Sequence, residues 1–151
     1  MNIKDNGKNR DNVRLEFYDA KTGELVMSHT GHNMIVNAGL NLIRNAISRD
    51  IDVVGYVAVG SGSTGAAAGD TALVAEIERI PIMGYSDDAT GTVTFIAIFE
   101  PNQGNGNLRE FGLFDALTTG TLFARYVAGA SFTKDTSLML KIYWTVVFQD
   151  S

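Results

Sequence analysis

Hydrophobic and polar residues alternate most regularly near the end of the chain, where Leu138 to Phe148 reads LMLKIYWTVVF. Leu138, Leu140, Ile142, Trp144, Val146 and Phe148 share one parity. Lys141, Tyr143 and Thr145 take the other, with Met139 and Val147. A repeat of two sends successive side chains to opposite faces, so the segment predicts a long β-strand with one strongly apolar face. That face needs a second layer to cover it. Near the start, Val13, Leu15 and Phe17 interleave with Arg14, Glu16 and Tyr18; DAKTGE supplies a turn and Leu25 to His29 returns as a hairpin. Val53 to Val59, Glu78 to Met83, TVTFIAIFE, LREFGLFDA and GTLFARYVAG also read as extended. Pro81 removes a ladder donor and argues against a central position for its strand. Val93, Phe95, Ala97 and Phe99 share one face and Ile96 and Ile98 the other, which predicts burial on both sides after a turn at Asp87 to Gly91.

The period changes in NAGLNLIRNAISRD. Leu40, Ile43 and Ile47 recur at helical spacing, Leu42 and Ala46 widen the stripe, and Asn37 is suited to accept a free amide as N-cap. These predict one helix from Asn37 to Ser48, its apolar side on a sheet. Asp70 to Leu73 reads as the start of a short helical turn ending near Glu76. Seven or eight extended segments and one helix, with no βαβ alternation, define a mainly β chain: an antiparallel β-sandwich with one short amphipathic helix. Residues 1–12 are polar and read as a flexible N-terminal arm, and 13–151 as a single β-rich domain.

Composition adds constraints. Of 151 residues, 45% are hydrophobic and 19% charged, and the 16 glycines exceed the usual share of about 7%. This suits many tight turns and surfaces hidden in an assembly. A formal net charge of −5 opposes nonspecific association with nucleic acid or anionic lipid. There is no cysteine for disulfides or thiolate metal ligands, no apolar leader in MNIKDNGKNRDN, and no apolar run of about 18 residues for a membrane span.

Several segments occur in an order that resembles a family of small phage virion domains from tail, baseplate and fibre proteins. They are Asn37-Ala38-Gly39, Val57-Ala58-Val59-Gly60-Ser61-Gly62 with its small-residue loop, Leu73-Val74-Ala75-Glu76 before Arg79, and Leu122-Phe123-Ala124-Arg125. The strongest is Leu108-Arg109-Glu110-Phe111-Gly112-Leu113-Phe114-Asp115, which is similar to the RE-(I/F)-GL-(F/Y)-D signature of tail-collar and fibre-attachment domains. The resemblance implies a non-enzymatic virion subunit assembled in the host cytoplasm. It implies a homo-oligomer, trimeric by analogy, whose partners are tail, collar or capsid proteins rather than nucleic acid or membrane. A capsid decoration or head-fibre base protein is the alternative placement.

Candidate chemistry is sparse. GSGSTGAAAGD suggests an anion cradle of backbone amides, but it lacks the GKT or GKS ending of a phosphate loop and reads better as a structural loop. His29 and His32 invite a metal, Glu76 and Glu110 an acid/base pair, yet neither pair has a supporting constellation. No catalytic residue, metal or cofactor is expected. Arg109, Glu110 and Asp115 bracket FGLF, with Arg109 and Glu110 expected outward or sideways. With Arg125 and Lys134 as cationic partners they form a candidate interface, against the plainer reading of contacts within the chain. Tyr85 and Tyr143 are candidate glycan contacts for the remaining alternative, a carbohydrate-binding receptor module.

Overall fold

The computed structural model describes residues 12–49 and 53–148. The final alternation becomes β10 (Leu138–Val147), on which Leu140, Ile142, Trp144 and Val146 are fully buried. β10 is central in a five-stranded antiparallel sheet. On one side it pairs with β1 (Asn12–Asp19), which carries β2 (Leu25–His32) at the edge. On the other it pairs with β7 (Thr92–Phe99), which carries β6 (Gly84–Ala89). The register sets Val13, Leu15 and Phe17 beside Trp144, Ile142 and Leu140, so the apolar parities of both chain ends form one inner face.

The second five-stranded antiparallel sheet runs β3 (Met34–Ile35), β9 (Leu122–Lys134), β8 (Gly106–Phe114), β4 (Tyr56–Gly60) and β5 (Glu76–Pro81). Val57, Val59, Leu108, Phe111, Leu113 and Tyr126 meet the first sheet in a shared core, which makes the architecture a β-sandwich. Pro81 ends the edge strand β5, as its missing donor requires.

The one helix among the described residues, α1 (Asn37–Arg49), lies against β9. Its start differs from the sequence expectation. Val36 accepts the first helical bond from the Leu40 amide at 3.1 Å, which puts the cap one residue before Asn37. The Val36 amide donates to the Phe123 carbonyl and the Asn37 amide to the Ala68 carbonyl, so tertiary contacts serve the exposed amides. Gly39 touches the β9 backbone so closely that a Cβ would stand 2.1 Å from the Phe123 carbonyl oxygen. That contact turns Leu42 and Ile43 to the core and leaves Leu40 exposed.

Three further expectations are corrected. Asp70 to Leu73 is not helical: the Asp70 amide donates to the Ala67 carbonyl, and the Asp70 carboxylate accepts from the Ala67 amide, closing a turn instead. The turn before β7 narrows to Thr90–Gly91, because Asp87 and Asp88 continue β6. Ile96 and Ile98 are only partly buried, since nothing among the described residues covers the outer face of their sheet as the second sheet covers the inner. The proposed arm lies outside the described residues except for Asn12, which opens β1.

Candidate functional site

The LREFGLFD segment occupies β8, between β9 and β4. A register irregularity between Leu108 and Glu110 lets Leu108 and Phe111 both reach the inner core while Glu110 turns to the outer face. The chain after β4, residues 61–75, folds back over that face. Beneath it Val36, Ala58, Leu73, Phe114 and Leu122 make a second, smaller core.

Glu110 is fully buried at the edge of this small core. Its Oε1 accepts from the Gly62 amide at 3.0 Å and the Ala75 amide at 2.6 Å; its Oε2 accepts from the Val74 amide at 2.9 Å. Arg125, facing it from β9, donates to Oε2 through Nη2 at 2.8 Å and Nε at 3.2 Å. The remaining edge of the guanidinium holds the loop, with bonds of 2.9 Å to the Asp70 carboxylate, 2.9 Å to the Thr64 carbonyl and 3.4 Å to the Gly65 carbonyl. Burial pushes the Glu110 carboxyl upward, but the Ala75, Val74 and Gly62 amides with Arg125 outweigh it and hold the group below its ordinary value. Glu110 is therefore an ionised fastener, with no access for a substrate.

This arrangement explains the glycine-rich loop. Its amides do cradle an anion, and the anion is the chain's own carboxylate. A Cβ on Gly62 would stand 2.5 Å from Glu110 Oε1, and one on Gly60 2.5 Å from the Ala75 carbonyl oxygen. Both positions need glycine for close approach.

The other candidate interface residues also fasten loops of the same chain. Arg109 donates to the Ala128 and Gly129 carbonyls, bracing an irregular stretch of β9. Asp115 accepts from the Thr121 amide at 2.6 Å and closes the turn containing Thr119 and Gly120, both at positive φ. Lys134 is buried and donates to the Glu100 carbonyl at 3.0 Å and Asn105 Oδ1 at 2.9 Å, anchoring the β7–β8 loop. Glu110 leaves the inner core for the outer face, as expected, but the 61–75 loop encloses it there. Glu110, Arg125 and Lys134 are buried within one chain, which favours the plainer reading of contacts within the chain over an exposed interface. Arg79 is a further fastener, paired with Glu76 rather than with Glu110 or Asp115. Its guanidinium lies 3.5 Å above the centre of the Phe114 ring, pairs with Glu76 at 2.8 Å and donates to the Ala116 and Thr119 carbonyls.

The remaining candidates do not converge. Glu76 is engaged by Arg79 on the surface and Glu110 is enclosed, so they make no acid/base pair. His29 faces inward and lies 2.6 Å from the Tyr126 hydroxyl, whereas His32, three residues on, projects to the other face. Among the described residues no cluster of His, Asp or Glu is placed to hold a metal. Tyr85 is exposed on the parity of Trp144, while Tyr143 lies on the opposite face. Tyr143 lines a groove of about 390 Å³ with Asn12, Arg14, Thr30 and Thr94, and Arg14 covers its ring at 4.0 Å. The two tyrosines are not one platform. Set against models of protein families, curated proteins and solved structures, the chain matches none of them significantly.

Proposed function

We propose that this chain is a non-enzymatic structural subunit of a phage particle, a tail, collar or fibre-attachment adaptor assembled in the host cytoplasm. The observation that carries the reading is the use made of the residues behind the resemblance. Glu110 and Arg125 bind each other and the 61–75 loop, and Arg109 and Asp115 brace neighbouring segments. A domain whose charged motif is devoted to fixing loop shape suits a mechanical adaptor that presents surfaces to neighbours. The fixed loop leaves Val74 exposed, and Ile77 is exposed on the adjoining β5.

Mass spectrometry of gently purified particles, followed by labelling and imaging of the subunit, tests the proposal. Density at the tail, collar or fibre base supports it; density spread over the capsid selects the decoration or head-fibre alternative. Absence from particles overturns both. The glycan-binding alternative rests on the Tyr143 groove, with its Thr and Asn lining. Saturable binding to host-surface glycans that Tyr143→Ala abolishes, with folding retained, establishes it. The expected result is no such binding, because Arg14 occupies the face on which a sugar would stack.

A further inference from the structure

Sheet edges are templates for pairing with other chains, and stable proteins blunt them with charges, proline, bulges or short strands. The sandwich has four edges among the described residues, and three are blunted. β3 has two residues; β5 carries Glu76, Glu78, Arg79 and Pro81; β6 has an irregular register between Ser86 and Ala89. β2 is the exception. Its eight residues, LVMSHTGH, contain no Asp, Glu, Lys, Arg or Pro. Its register irregularity is confined to the Leu25 end, so Met27 to His32 runs regularly along β1. Leu25, Val26 and Met27 are exposed by 53%, 60% and 38%.

We propose that the β2 edge is a self-association surface, pairing antiparallel with β2 of a second copy about a two-fold axis near His29 and Thr30. The blunted edges dictate the partner. A contact between β2 and β3, β5 or β6 of another copy sets it against too short a strand, a missing donor with buried charge, or an irregular register. β2 against β2 brings no charged side chain of either strand into the seam. Because both copies then use the same patch, the contact is isologous and closes at two, not at the three that analogy suggests. A seam of two strands lies at the small end of specific interfaces, so dimerisation should depend on concentration.

Sedimentation velocity on the full chain over a concentration series, with hydrogen exchange at both ends of the series, provides the test. The expected result is a monomer–dimer equilibrium in which Met27–His32 gains protection as dimer forms. Thr30→Lys and Ser28→Lys, both at exposed positions on β2, should each raise the dissociation constant by about tenfold or more, because like charges meet across the seam. Ala89→Lys on the β6 edge should leave it unchanged. Unaltered melting temperatures identify variants that fold, and the two lysine positions guard against one failing. A monomer throughout, an odd-numbered oligomer, or a dimer indifferent to both β2 substitutions overturns the proposal. A β2 dimer absent from particles would sink the particle reading alone; a monomer found in particles would sink only this one.

Discussion

Arg125–Glu110 on the outer face of one sheet and Arg14–Glu16 on the outer face of the other are the same chemistry in two settings. Side-chain exposures are 1% and 0% for the first pair, and 47% and 15% for the second. The difference comes from the loop of residues 61–75, which covers the β8–β9 face and adds three backbone donors and Asp70 to the pair. On the β1–β10 face Arg14 rests on Tyr143, Glu16 accepts from the Tyr18 hydroxyl, and water reaches the cluster. Enclosure turns an ordinary surface pair into a device that fixes a loop. It also makes that pair costly to break, because a lone charge left behind has no solvent.

Breaking the enclosed pair should have the largest effect. Arg125→Ala leaves Glu110 buried without its cation and is expected to cost about 3–5 kcal/mol in urea unfolding. Glu110→Gln should remove a pH dependence as well. The Glu110 carboxyl lies below its ordinary value in the folded chain, so it stabilises the fold above the unfolded value of about 4.3. That stability is lost as pH falls through the lower folded value. The difference between the acid unfolding curves of the parent and of Glu110→Gln should therefore hold above the unfolded value and shrink steadily as pH falls below it. Parallel curves would show that the carboxylate is not the fastener.

Crowding the cradle is the next step down. Gly62→Ala adds a methyl group 2.5 Å from Glu110 Oε1 and 2.7 Å from Val74 Cβ, so the loop or the carboxylate must shift. A loss of about 1–3 kcal/mol is expected, with faster hydrogen exchange confined to residues 61–75. Exchange that rises equally across β1 and β10 would contradict a local latch.

The open pair should matter least. Arg14→Ala is expected to change stability by less than about 1 kcal/mol, and by less still at high salt. Spectrophotometric titration gives a finer probe of the same cluster. The hydrogen bond to Glu16 pushes the Tyr18 phenol up to about 12, so Glu16→Gln should let it ionise at lower pH. Since the folded value lies above the unfolded one, this contribution is present below about pH 10 and disappears as pH rises through the folded value. An Arg14→Ala loss matching that of Arg125→Ala would erase the distinction between the two faces.

The strand pattern of Leu138–Phe148 and of Val13–Phe17 was enough to define a two-layer β fold, because parity is local: each residue's face follows from its neighbours' faces. Pro81 at an edge and a helix opening near Asn37 were legible for the same reason, since a missing amide and a change of period act within a few residues. The glycine-rich loop suggested a cradle of backbone amides without naming the anion it holds. Glu110 reads in sequence as an outward residue of an alternating strand, and Arg109 beside it as its equal. Only the register irregularity in β8 and the folding back of residues 61–75 bury one and leave the other half-exposed. The partners of Arg125 come from Glu110, Asp70, Thr64 and Gly65, on separate segments that meet because β8 and β9 pair and the loop closes over them. Burial and long-range pairing depend on where distant segments pack, so charge, exposure and role at this site were decided by the tertiary structure.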